Sequence, residues 1–236
     1  MKPILGRPML QCQIERLRRA STIDRLIVAT SKNVSDDPIE SLCGLLDIDC
    51  FRGDLEDVLD RFYQAARAYA PDYVVRLTGD CPLADPTLID QVVSFCREGD
   101  YDYVSNTLVP TFPDGLDIEV CRYDVLTQAW REAVKVSERE HVTPFVWQQP
   151  DRYKLANFAS EHDNSALRWT VDEPADLKLI AAIYEELYPK NPEFTTNDIL
   201  ELIDKKPQMR LVNSGFARNE GFAKSVRQDA GDVING

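Results

Sequence analysis

Apolar positions recur at two spacings along this chain. Met9, Leu10, Ile14 and Leu17 follow the three-to-four-residue period of a helix over Met9 to Ala20. Arg16, Arg18 and Arg19 fall in its last turn, where cations suit the helix dipole. Arg25 to Thr30 is a near-continuous apolar run, which predicts a strand buried on both faces. Asp36-Asp37-Pro38 opens a second helix to about Leu46, with an acidic start and a first-turn proline. Asp49 to Arg52 reads as a short strand. Gly53-Asp54 turns into a helix over Leu55 to Ala70 with Val58, Leu59, Phe62, Ala65 and Ala66 on one face. Tyr73 to Leu77 is the next strand, punctuated by Thr78-Gly79, and Pro82 stops further pairing because it has no N–H. Asp85-Pro86 starts a helix to Arg97, and Tyr101 to Val104 is another strand.

From Asn106 the pattern changes. Pro110, Pro113 and Gly115 interrupt it, and Leu116 to Val120 then alternates apolar and acidic, which predicts a strand with Asp117 and Glu119 on one face. Tyr123 to Val134 and Ser137 to Gln148 read as helices, and Tyr153 to Phe158 and Ala166 to Val171 as strands, the second ending at Asp172. Glu173-Pro174 begins a helix to about Tyr188, and Thr195 caps one through Ile203. Strands alternating with helices over short connections define an α/β protein with a mostly parallel sheet. Residues 1–205 form the expected domain, with a polar arm from 206 to 236.

At 236 residues the chain supports one sizeable core. A net charge of −13 argues against a nucleic-acid backbone as partner, whereas an acidic site can still take a nucleotide through divalent cations. No apolar run reaches the length of a membrane span, and Met1 to Gln11 lacks a signal-peptide core, so the expectation is a cytoplasmic protein without membrane attachment. Six scattered cysteines without a C-x-x-C pair, beside two histidines, predict reduced buried thiols rather than zinc.

The candidate chemistry lies in carboxylates at strand ends. In open α/β sheets ligands bind beyond the carboxyl ends of strands, which is where Asp80 and Asp172 fall. Magnesium is held by one or two carboxylates plus phosphate oxygens, so the pair is a candidate metal site; each alone would also serve as a helix cap. Arg76, inside an apolar strand, needs an acidic partner such as Asp172 or Asp80, or a phosphate. Asp57 and Arg61, four residues apart, suit a helix-surface pair. Ser137 with Glu140 fits a capping box, with His141 beside it as a candidate for chemistry. The tail cations Arg210, Arg218, Lys224 and Arg227 read as a solvated face.

Gly53 to Arg61, Val75 to Pro86, Gly115 to Val120, Arg139 to Val142 and Arg168 to Asp172, in that order, resemble the motifs of the cytidylyltransferase family, in particular the branch of the spore-coat polysaccharide biosynthesis protein F, related to acylneuraminate cytidylyltransferases. The resemblance runs from Pro3 to about Lys205. It implies a three-layer αβα nucleotide-diphosphosugar transferase fold and a reaction in which a sugar hydroxyl attacks the α-phosphate of CTP, with Mg2+ as clamp. It carries Asp80 and Asp172 over as metal-binding, catalytic carboxylates, and Ser31, Asp57, Arg61 and Arg76 as nucleotide contacts. Gly115, Asp117, Glu119, Glu140 and His141 fall on the acceptor side. Related enzymes form dimers, so a homodimer is implied, with contacts from the irregular segments 106–121 and 152–170.

The resemblance also has a departure. Family members begin with a strand and a triphosphate-cradling loop, whereas Met1 to Met9 matches only the segment beyond that loop. The implied sheet therefore lacks a central strand beside those at Arg25 and Tyr73, and the sequence is expected to start internally. About four buried aliphatic side chains at roughly 1.5 to 3 kcal/mol each amount to about 6 to 12 kcal/mol, comparable with the ~5 to 15 kcal/mol stability of a whole domain. Two other readings stand beside the transferase: a binding protein without catalysis, and a glycosyltransferase of similar fold, which would release free nucleotide instead of pyrophosphate.

Overall fold

The computed structural model describes residues 1–216, 218 and 220–234. In chain order it contains β1 (Pro3–Ile4), β2 (Arg7–Pro8), α1 (Met9–Leu17), β3 (Ile27–Ser31), α2 (Asp37–Leu46), β4 (Asp49–Gly53), α3 (Val58–Arg67), β5 (Tyr73–Arg76), α4 (Pro86–Glu98), β6 (Tyr103–Ser105) and β7 (Glu119–Arg122). The second half continues with α5 (Tyr123–Glu132), α6 (Val136–His141), α7 (Pro144–Trp147), β8 (Leu155–Asn157), α8 (Pro174–Leu187), α9 (Thr196–Lys205) and α10 (Glu220–Ile234).

A four-stranded sheet in the order β5-β7-β6-β8 forms the middle layer. β7 runs antiparallel to both neighbours and β6 parallel to β8, so β5, β6 and β8 share one direction and only β7 opposes it. Alternation along the strands builds the other two layers. Val104 and Val120 enter a core with Leu88, Ile89 and Val92 of α4 and Leu179, Ile180 and Ile183 of α8. Their neighbours Tyr103 and Cys121 face the other way, into a core with Leu59 of α3, Leu126 and Ala129 of α5 and Val146 of α7. The result is the three-layer αβα arrangement that the resemblance implies.

β3 and β4 form a separate parallel pair. Among the described residues β3 pairs only with β4, and β5 only with β7. Between them, where the resemblance implies one more strand, is a cavity of about 1280 Å³ lined by both strands.

Several elements differ from the sequence reading. The alternating segment expected from Leu116 to Val120 becomes a strand only at Glu119, because Asn106 takes over the backbone before it: its amide donates to Leu116 O (2.7 Å) and accepts from Ile118 N–H (2.9 Å). The strand expected over Ala166 to Val171 is reduced to one bridge between Asp114 and Arg168, so Asp172 comes after a loop rather than a strand. The helix expected from Ser137 to Gln148 breaks at Val142, which has φ +73°, a costly conformation for a β-branched residue. The break separates α6 from α7 and turns the Thr143 hydroxyl toward Glu119.

The arm beyond Lys205 keeps Arg210, Lys224 and Arg227 exposed but is anchored at particular points. Asn213 is buried, and its amide donates to Asp176 Oδ1 (2.7 Å) and Arg168 O (2.9 Å). Further on, α10 lies against α6, where Asp229 accepts from the backbone and hydroxyl of Ser137 (3.1 and 2.5 Å). That contact replaces the capping box expected between Ser137 and Glu140; Glu138 instead accepts from the N–H groups of Val134 and Lys135. Segments 106–115 and 153–166 pack on one another, with the Ser160 and Asn164 N–H groups donating to Thr111 and Phe112 stacked on Phe158.

Candidate active site

Asp80 emerges from the carboxyl end of β5 and is held by its neighbours: Thr78 Oγ1 and Cys81 Sγ both donate to Oδ1. Its main-chain carbonyl accepts from Val171 N–H at 2.9 Å, which seats the loop carrying Asp80 directly beside the loop carrying Asp172. Asp172 is half exposed, with its side chain 53% accessible, and receives Arg168 Nη2 at 2.5 Å.

Arg168 is the hub of this end of the molecule. It also donates to Asp114 (3.0 Å) and to Asp176 (3.1 Å), whose side chain is fully buried. Burial alone would lower the Arg168 pKa, but bonds from Asp176 and Asp172 more than offset it and the net shift is upward. The Asp176 carboxyl is held below its ordinary range: burial opposes this, while Arg168, the Glu173 N–H, Asn213 and the Asp172 N–H favour the charged form. Asp176 therefore fixes the backbone at Asp172 and Glu173 and leaves Asp172 facing outward.

Gly115 is required by close approach. It has φ +102°, and a Cβ there would lie 2.5 Å from the carbonyl carbon of Trp169. This contact locks the Asp114 turn to the Arg168 segment. Two residues later Asp117 pairs with Arg218 from the C-terminal segment. Burial nevertheless dominates and pushes the Asp117 carboxyl up to about 6.

Arg76 and Glu119 face each other across β5 and β7 and form an ion pair. This corrects the expectation that Arg76 pairs with Asp172 or Asp80. Glu119 also accepts from Tyr103 Oη at 2.7 Å and from Thr143 Oγ1, so both its oxygens are engaged. Burial works to lower the Arg76 pKa, and the Glu119 charge reverses it to a net rise.

Of the remaining predicted residues, Ser31, Asp57 and Arg61 lie on the β3–α3 side, and Glu140 and His141 on α6. The Ser31 hydroxyl is buried and donates to Asp36 Oδ2 (2.6 Å). Asp57 caps α3 by accepting from Asp60 N–H (2.9 Å) and pairs with Arg139, not with Arg61 as the spacing suggested. Arg61 lies over Gly53, where a Cβ would meet its Cγ at 2.5 Å, and burial lowers its pKa. Glu140 accepts from Ser225 Oγ (2.6 Å), which lies 3.0 Å from His141 Nε2. Burial, the largest influence, lowers the His141 pKa. Phe222 meets the His141 ring edge-on, so α10 covers both residues.

The structure thus brings Asp80 and Asp172 onto adjoining loops, with Asp117 and the Arg76–Glu119 pair in the same charged region, and leaves Ser31 at the end of β3 and Asp57 and Arg61 at the start of α3. Arg168, Asp114, Asp176, Asn213, Thr143 and Arg218 were missed. Arg168 stood inside one of the family-like motifs, but its partners are distant in sequence. Among the described residues no cluster of three or more His, Cys, Asp or Glu side chains is arranged to hold a metal by itself. Among the described residues no helix is long and apolar enough to cross a membrane.

This three-layer α/β fold is shared with solved structures of nucleotidyltransferases. A protein-family model described as cytidylyltransferase matches residues 1–215. A solved structure of a cytidylyltransferase from Leptospira borgpetersenii superposes with a TM-score of 0.84 at 28% identity, covering 92% of this chain and 90% of the other. The spore coat polysaccharide biosynthesis protein SpsF of Bacillus subtilis is 29% identical over 88% of each chain. An uncharacterised protein of Methanocaldococcus jannaschii is 35% identical over 88% of this chain and 84% of its own length. The chain belongs to the cytidylyltransferase family.

Proposed function

We propose that this protein transfers CMP from CTP to a sugar hydroxyl, releasing pyrophosphate, in the making of a surface polysaccharide. The observation that carries the reading is the 2.9 Å hydrogen bond from Val171 N–H to the Asp80 carbonyl, which sets the Asp80 and Asp172 loops side by side in a chain of this family. The chemistry of the donor set fits magnesium: two hard carboxylates, with phosphate oxygens as the remaining ligands. When bound, the ion would neutralise charge on the α-phosphate and the departing pyrophosphate. Asp80 and Asp172 would hold it. Arg168, through Asp176, keeps Asp172 oriented, so the carboxylate is positioned before nucleotide arrives.

In this reading Ser31, Asp57, Arg61 and Arg76 form the nucleotide side and Gly115, Asp117, Glu119, Glu140 and His141 the acceptor side. Several act through neighbours: Asp57 by holding Arg139, Gly115 by fixing the Asp114 turn, and Glu119 by holding Arg76. The reading includes a homodimer, which light scattering that finds only monomers at micromolar concentration would remove. The test of the function is pyrophosphate release from CTP over a panel of sugars with magnesium. Release with one sugar, lost in Asp172→Asn, supports the reading. With a nucleotide sugar supplied in place of CTP, release of free nucleotide together with a glycoside product would instead make the protein a glycosyltransferase.

A further inference from the structure

Three residues of the acceptor side are each held at one atom and open at another. Asp117 accepts from Arg218 through Oδ1, and Glu140 accepts from Ser225 Oγ through Oε2 at 2.6 Å. With its proton given to Glu140, Ser225 Oγ accepts from His141 Nε2 at 3.0 Å, which puts the imidazole proton on Nε2 and makes Nδ1 the acceptor. Among the described residues no hydrogen bond reaches Asp117 Oδ2, Glu140 Oε1 or His141 Nδ1. The three side chains keep 29%, 43% and 24% of their surface exposed, so these atoms are within reach of a ligand. Glu119 differs: both its oxygens are taken by Arg76, Tyr103 and Thr143.

Both holding partners come from beyond residue 215, where the match to the family model stops. Arg218 donates to Phe112 O at 3.2 Å, pairs with Asp117 and lies 3.8 Å from Asp114, which ties it to the whole Phe112 to Asp117 segment. Ahead of it, Asn213 is anchored on Asp176 and Arg168 O. After it, α10 is fixed on α6 by Phe222 against the His141 and Trp147 rings and by Asp229 on Ser137. The held residues converge on Glu119. Asp117 precedes it by two residues, while Thr143 donates to Glu119 through its hydroxyl and to His141 O through its N–H (2.9 Å). All three open atoms are hydrogen-bond acceptors, and two belong to carboxylates. Such a surface suits hydroxyl donors and repels an anion.

We propose that Arg218 and Ser225 are positioning residues for the sugar acceptor: they hold Asp117, Glu140 and His141 so that the open atom of each accepts a hydrogen bond from a hydroxyl on an uncharged face of the sugar. The proposal rests on the reading of these three residues as the acceptor side.

Pyrophosphate release is measured against sugar concentration, with the monosaccharide of the panel that gives the fastest release, for the parent chain, Arg218→Met, Arg218→Lys and Ser225→Ala. Each protein is also titrated with CTP and magnesium by calorimetry. The acceptor KM is expected to rise about tenfold in Arg218→Met and about fivefold in Ser225→Ala. With kcat within about threefold and CTP affinity within about twofold of the parent, that is the pattern of lost acceptor binding rather than a damaged fold. Arg218→Lys keeps the charge but not the two-armed reach to Phe112 and Asp117, and should recover part of the KM. Arg210→Met, which removes only a surface pair with Asp204, should leave all these values unchanged. An acceptor KM within about twofold of the parent in both Arg218→Met and Ser225→Ala would overturn this proposal and leave the transferase reading standing. So would a CTP affinity that falls in step with the KM, since that marks a structural role. A parent chain that releases no pyrophosphate with any sugar would remove the transferase reading and this proposal with it.

Discussion

The Arg76–Glu119 pair tests the energetics of the sheet beside the candidate site. The two side chains are 19% and 10% exposed and sit opposite one another on β5 and β7. Removing one member of a buried pair costs about 3 to 5 kcal/mol, because the other charge is left without compensation. Glu119→Gln keeps the shape and also turns an NH2 group toward the Tyr103 and Thr143 hydroxyls or Arg76. Since Arg76 retains some contact with water, we expect the lower end, about 3 kcal/mol. In a chain of this length that is roughly a 6 to 12 °C fall in Tm. Arg76→Met alone strands Glu119 with its two hydroxyl donors and should cost about 2 to 3 kcal/mol. The double variant removes both charges, so its loss should fall short of the summed single losses by at least about 1.5 kcal/mol. Urea denaturation of the four proteins closes the cycle. Single losses that add to within about 0.5 kcal/mol would refute the pairing as an energetic unit.

Three further expectations concern the surroundings. Gly115→Ala adds a Cβ against the Trp169–Thr170 backbone at a positive φ, so a destabilisation of about 3 kcal/mol or more is expected, and a Tm within about 2 °C of the parent would contradict the close approach. Asp36 is held at about 2 by hydrogen bonds from Ser31 and Thr30, so it contributes stability above its ordinary pKa of 3.8 that is lost as pH falls toward 2. Discounted for partial exposure, that contribution is about 1 kcal/mol. Asp36→Ala should flatten the acid limb of a denaturation series; an unchanged limb would count against it. Asp117 has the opposite sign: pushed up to about 6, it favours the folded state below about pH 4, and that contribution is lost as pH rises through 6. Asp117→Asn should therefore remove a loss of about 1 to 2 kcal/mol between about pH 4 and 6, and a slope that persists in the variant would assign it elsewhere.

How much of this was legible in the sequence depended on the range of the interaction. Local signals carried the helices with marked starts: Asp85-Pro86 does cap α4, with Asp85 Oδ1 accepting from the Thr87 and Leu88 N–H groups, and Thr195 caps α9. The layers came from the resemblance; in the fold, alternation in β6 and β7 decides which core each residue enters. Pairing partners were not legible. Arg76 announced its need for a carboxylate, but the carboxylate lies 43 residues away and is chosen by strand register. The tail showed only polar composition, whereas Asn213 and Ser225 are buried because Asp176 and Glu140, folded from elsewhere, supply their hydrogen-bond partners. The break at Val142 was hidden for a similar reason: the contact that accompanies it, Thr143 to Glu119, spans 24 residues.

The most direct test of the central claim is calorimetric titration of CTP into the protein with magnesium, repeated without the ion and with Asp80→Asn. Binding is expected to require magnesium and to weaken at least about tenfold in the variant, a loss of roughly 1.4 kcal/mol or more. CTP binding of equal strength with and without magnesium, and in Asp80→Asn, would contradict the assignment of the Asp80–Asp172 loops as the place where metal and triphosphate meet.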